Sequence, residues 1–154
     1  MWFGTEDGLT KFDGYSCEVF RNTPEDPNSI IDNTVNFIAE DKHTGNLIVA
    51  TNIGLVHFGR SLIKFKLILQ DEIETTSNGN VGITSLLFDE NNYLWIGSRF
   101  GLYQVDIENM VILNHYSAND NSMGTLRNSD INSLNFLSDG NLWIGHAEGI
   151  DIFS

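Results

Sequence analysis

The residues able to do chemistry sit at four short breaks between apolar runs: Glu6 and Asp7, Asn52 and Ile53, Arg99 and Phe100, and Ala147 and Glu148, with His146 just before the last. Arg99-Phe100 is the most suggestive pair. An exposed aromatic offers a flat apolar face to a sugar ring, and a neighbouring guanidinium donates several hydrogen bonds. The competing reading packs Phe100 on adjacent structure and leaves Arg99 solvated. Together Arg99, Phe100, His146, Glu148, Asn52, Glu6 and Asp7 form the candidate ligand-binding set.

Other chemistry is poorly supported. The four histidines, His43, His57, His115 and His146, fall in different parts of the pattern described below, which argues against a metal site. "NDNSMGTLRNSD" fails as a calcium loop, because Met123 takes a ligand position and Asp130 replaces the closing glutamate. Asp26, Asn28, Asp120 and Asn121 suit turns and caps as well as ligands. No Ser-His-Asp or Cys-His grouping and no spaced pair of carboxylates is legible, so no catalytic residue and no cofactor is expected.

The elements that position these breaks follow from a repeat. "WFGTEDGLTKFD" begins at Trp2, "LIVATNIGLVHFG" at Leu47, "LWIGSRFGLYQVD" at Leu94 and "LWIGHAEGIDIFS" at Leu142. The second glycine of each copy is Gly8, Gly54, Gly101 and Gly149, at spacings of 46, 47 and 48 residues. Each copy reads as two short strands joined by a tight turn, with the late glycine supplying a positive φ. An apolar run precedes three of the copies ("VNFIAED", "ITSLLFDE", "INSLNFLSD"), and another follows the first three ("YSCEVF", "LIKFKLIL", "MVILNHY"). One period therefore holds four strands, a to d.

Four antiparallel strands per period of roughly 40–50 residues is the signature of a β-propeller blade. Blades bury both faces of their sheets, which explains the continuous apolarity of "LWIG". Trp2, Trp95 and Trp143 are expected to fill the space between sheets, with Ile48 in the same slot of the second repeat. Gly4, Gly97 and Gly145, with Ala50 in the second repeat, would leave room for a neighbour.

The fold class is therefore all-β, one partial β-propeller of about three and a half blades. Blade 1 (strands b to d) covers 1–21, blade 2 34–70, blade 3 82–117 and blade 4 (strands a to c) 130–154. The end pieces overlap and cannot merge, so the ring is expected to be incomplete. Its flanks would then expose apolar faces and strand edges and favour self-association. In a blade of this topology the b–c turns share one face with the d–a connections.

Composition sets outer limits. Of 154 residues, 41% are hydrophobic and 19% charged, which is the make-up of a globular chain. The formal net charge of -13 repels nucleic acid and anionic membrane surfaces. "MWFGTEDG" lacks the basic start and apolar middle of a signal peptide. The single cysteine, Cys17, excludes an internal disulfide, and its alternating surroundings suggest a small packed hydrophobe.

"LWIG", a short turn and "GL", preceded by turns like "DGNLW", resemble the two-component regulator propeller repeat, and the resemblance runs through essentially the whole chain. The departures are "LIVAT" at Leu47 and His146, where the motif usually has threonine. The resemblance implies an early segment of the periplasmic propeller of a hybrid two-component sensor histidine kinase. It implies oligosaccharide ligands, the rest of the propeller and receptor as partners, and a phosphorelay in the parent protein rather than catalysis in this chain. Two alternatives stand beside it. One is a propeller enzyme of the streptogramin-lyase type, for which His146 and Glu148 are the only adjacent candidates. The other is an architectural propeller that mediates dimerisation.

Overall fold

In the computed structural model, residues 1–118 and 126–154 are described, and the chain divides into two compact units, Met1–Val81 and Gly82–Ser154. Asp120, Asn121 and Met123 lie outside the described residues. Among the described residues every regular element is a strand, and all strand pairing is antiparallel.

The first unit holds two sheets. β1 (Trp2–Thr5), β2 (Gly8–Phe12) and β3 (Cys17–Phe20) pair in sequence order. So do β4 (Val35–Glu40), β5 (Leu47–Thr51), β6 (Leu55–Gly59) and β7 (Lys64–Ile68). β5 is buried along its whole length, as its unbroken apolar sequence requires. Leu9, Ile30, Val35, Leu47, Val49, Val56, Phe58 and Phe65 form the core, with Trp2 and Phe20 packed on it. The rings lie edge to face or stacked: Trp2 and Phe58 centroids are 5.3 Å apart at 70°, and Phe58 and Phe65 4.4 Å apart at 24°.

The second unit repeats the plan. β8 (Ile83–Phe88), β9 (Leu94–Ser98), β10 (Gly101–Asp106) and β11 (Val111–Tyr116) form one sheet, and β12 (Ile131–Phe136), β13 (Leu142–His146) and β14 (Gly149–Phe153) the other. Leu102, Leu126, Ile131, Leu142 and Ile144 make its core, with Trp95, Tyr116 and Phe153 against it. Trp143 is half-buried. The chain is thus a segment of β-propeller, with blades of three, four, four and three strands.

The repeat is also physical. The first strand of each of the last three blades carries a register shift at its start, at Val35/Phe37, Ile83/Ser85 and Ile131/Ser133. Such bulges bend a strand and raise its twist. The glycine of "LWIG" lets the next blade in. A Cβ on Gly4 would lie 2.6 Å from Val35 Cγ1 and 2.8 Å from the Val35 carbonyl oxygen, and one on Gly97 2.8 Å from Ile131 Cγ2. Gly145 differs, since its nearest neighbour is the Ser133 hydroxyl of its own blade.

Two expectations need correction. Gly8, Gly101 and Gly149 have φ of 122°, 129° and 133°, but Gly54 is not in the positive-φ region. Gly54 is small for another reason: a Cβ there would lie 2.5 Å from Leu67 Cδ1 and 3.0 Å from Ile31 Cδ1. Cys17 is exposed rather than packed. Its partner across the ladder is Phe12, which alternation puts on the face of β2 opposite Lys11, and Phe12 is itself 36% exposed.

Candidate functional site

The b–c turns share a local design. Where strand b ends, a hydroxyl donates to the carbonyl of the late glycine: Thr5 to Gly8 (2.9 Å), Thr51 to Gly54 (2.9 Å) and Ser98 to Gly101 (3.0 Å). The same oxygens accept a backbone N–H from within the turn, that of Asp7, Gly54 or Phe100. The tip residues are thereby held without using their own side chains.

Each turn is also tied to segments that connect one blade to the next. Asp7 receives Arg21 through a two-pronged contact, Nε to Oδ1 at 2.9 Å and Nη2 to Oδ2 at 2.6 Å. That hydrogen bonding holds the Asp7 carboxyl below the usual carboxylate range. The Asn52 N–H donates to Asp32, its side chain accepts from Asn36, and its carbonyl accepts from the Val81 N–H. Arg99 N–H donates to the Gly82 carbonyl at 3.1 Å, and Glu148 accepts from Asn128 at 3.2 Å. The b–c turns and the d–a connections therefore meet on one face of their blades.

The candidate residues are not equally available. Arg99 is exposed, and its aliphatic stem passes over Gly82. Phe100 is half-buried, with its carbonyl 3.0 Å from His115 Nε2, and the His115 ring stacks on buried Tyr103 at 4.1 Å. Glu6 is exposed. Asp7 is already engaged by Arg21, and Asn52 by Asp32, Asn36 and Val81. His146 is withdrawn: its side chain is wholly buried, and Nδ1 accepts the Glu148 N–H at 3.2 Å. It thus replaces the hydroxyl found in the other three turns. His146 meets Glu148 through the backbone, not through the carboxylate, so the two do not form an acid–base pair.

A charged group behind His146 was not legible in the sequence. His146 Nε2 lies 3.3 Å from Asp151 Oδ2, without hydrogen-bond alignment. Asp151 also accepts from Arg127, from Nε at 2.6 Å and from the backbone N–H at 2.9 Å, and Arg127 reaches on to the Ile150 carbonyl. Burial alone would raise the Asp151 carboxyl. The Arg127 hydrogen bonds, then the Arg127 and His146 charges, outweigh it and leave that carboxyl below its ordinary value. The signal was the alternation in "GIDIF", which puts Asp151 beside Ile144 and two residues from the Gly149–His146 pair.

Residues 76–100 match the family model described as two component regulator propeller. The chain carries a two-component regulator propeller repeat. The matched stretch ends on strand b of the third blade and the Arg99-Phe100 tip. A 30-residue stretch, 20% of the chain, is 57% identical to Histidine kinase P4 of Formosa agariphila, and covers 2% of that protein. Among solved structures, the extracellular domain of a putative hybrid two component system from B. thetaiotaomicron aligns with 98% of this chain and 19% of its own, at 23% identity and a TM-score of 0.74. A second such domain from B. thetaiotaomicron aligns with 99% of this chain and 25% of its own, at 22% identity and a TM-score of 0.56. Virginiamycin B lyase from Staphylococcus aureus aligns with 99% of this chain and 51% of its own, at 13% identity and a TM-score of 0.65. At these identities the structural likeness is one of fold. The chain spans a quarter or less of the two-component domains.

Proposed function

We propose that this chain is part of the ligand-sensing propeller of a hybrid two-component sensor histidine kinase. It lies outside the cytoplasm, its ligand is an oligosaccharide, and the signal leaves through a phosphorelay in the longer protein. The chain itself binds and performs no catalysis. The observation that carries this reading is the two-component repeat over residues 76–100, which ends on an exposed guanidinium and an aromatic at a rigidly held turn tip. A sugar ring stacked on Phe100 and hydrogen-bonded by Arg99 would bias one arrangement of the receptor over another. The rest of the propeller and a second protomer are its proposed partners. No helix among the described residues is long and apolar enough to cross a membrane.

The burial of His146 and its backbone link to Glu148 count against the lyase-type alternative, because neither residue presents a free acid–base pair to a substrate. A thermal-shift screen of plant and host oligosaccharides tests the proposal, on this chain and on the longer protein. A sugar that raises the melting temperature of the longer protein, with the rise lost in Arg99→Ala or Phe100→Ala, is the expected result. A rise that survives both substitutions moves recognition away from this turn.

A further inference from the structure

At the end of the first unit away from the b–c turns, the first two blades leave a cavity of about 310 Å³, at the small end of the range of roughly 300–1,000 Å³ typical of ligand sites. Its floor is the Trp2 indole, backed by Phe20 and Phe58. Two cations from different blades converge on that ring. Lys11 Nζ and Arg60 Cζ each lie 5.9 Å from its centroid. Lys11 comes from β2, directly across the ladder from Trp2, and Arg60 follows β6. The chain has only eight lysines and arginines against 21 acidic residues, and two of the eight stand over one indole.

Each cation has one exposed acidic partner, and Glu18, the partner of Lys11, itself lines the cavity. Glu18 Oε2 stands 3.8 Å from Lys11 Nζ, a loose exposed pair. Arg60 uses Nη1 for both Glu40 (3.0 Å) and the Gly45 carbonyl (2.9 Å). At the rim Ile63 is held at φ 49° and remains 56% exposed. A β-branched residue in the left-handed region is strained, and such strain collects where structure serves binding.

We infer that this cavity binds a ring compound bearing a carboxylate, with the ring against Trp2 and Ile63 and the carboxylate between Lys11 and Arg60. A guanidinium fork matches a carboxylate in plane, and an indole face accepts the C–H side of a ring. Two sources supply this chemistry: a uronic acid of an acidic glycan, and an aryl carboxylate. The site lies at the opposite end of the blades from Asp7 and Asn52, and it does not depend on the sensor reading.

Calorimetric titration of the whole chain with digalacturonate, its dimethyl ester and phenylacetate is the test. Binding of digalacturonate or phenylacetate at concentrations up to about 10 mM is expected, weakened about fivefold or more in Lys11→Met and in Arg60→Gln, both at exposed positions. Arg99→Ala should leave it unchanged. Binding of digalacturonate but not its ester assigns the site to acidic glycans, and binding of phenylacetate alone assigns it to aryl carboxylates. The inference is overturned if neither carboxylate binds, if the ester binds as tightly as the acid, or if both cavity variants bind like the parent. Loss in Arg99→Ala with retention in the cavity variants also overturns it, while leaving the turn-tip reading intact.

Discussion

His146 occupies a position where three other blades use a hydroxyl, and its surroundings explain how the exchange is tolerated. Its Nδ1 does the accepting that Thr5, Thr51 and Ser98 oxygens do elsewhere. The rest of the ring fills buried space beside Asp151. His146→Ala removes an acceptor from the Glu148 N–H and opens a cavity, so a loss of about 2–4 kcal/mol is expected in denaturant unfolding. His146→Thr restores the acceptor and should lose less. Asp151 gives a second, pH-dependent expectation. Its folded pKa lies below its ordinary value of 3.8, so the ionised form stabilises the fold. That contribution is complete above the unfolded value and is lost as pH falls through the lower, folded one. Asp151→Asn should therefore narrow the gap between melting temperatures measured near pH 7 and near pH 3. An unchanged gap would show that Arg127 and His146 do not act on this carboxylate.

At the scale of elements, the glycines of the second strand set how closely blades approach. Gly97→Ala places a methyl 2.8 Å from Ile131 Cγ2 on β12, where both sides are packed strands. Gly145→Ala meets the Ser133 hydroxyl, a side chain with room to rotate. The first change should cost on the order of 1–3 kcal/mol and the second clearly less, by the shift in urea midpoint at constant m. The a–b turn of the third blade hangs on Asp89, which accepts the N–H groups of Asn91 and Tyr93 and, through its other oxygen, Trp95 Nε1 at 2.9 Å. Asp89→Ala should destabilise by about 1–3 kcal/mol, and the Trp95 fluorescence should shift with it.

At the scale of the whole chain, the strands and their grouping were legible because one apolar sentence recurs at a fixed period. Trp95, Gly4 and Gly97 could be assigned to packing from type and spacing alone. Gly54 could not, because its neighbours Ile31 and Leu67 come from segments whose approach no local pattern records. Exposure of Cys17 depends on what covers a sheet face, which alternation does not state. In the candidate set, spacing found the turn tips but not which side chains they present: Arg99 stands out in solvent, whereas His146 is sealed behind Glu148 and Asp151. The Trp2 cavity was missed because Arg60 comes over the Trp2 ring only when two blades pack.

The central claim is that recognition resides on the b–c face at Arg99-Phe100. Hydrogen exchange of the longer protein, with and without the oligosaccharide that gives the largest thermal shift, addresses it directly. The account predicts slowed exchange in peptides spanning Leu94–Asp106, with smaller effects in the turns of neighbouring blades. Slowed exchange confined to other parts of the protein, with Leu94–Asp106 unchanged, would contradict it.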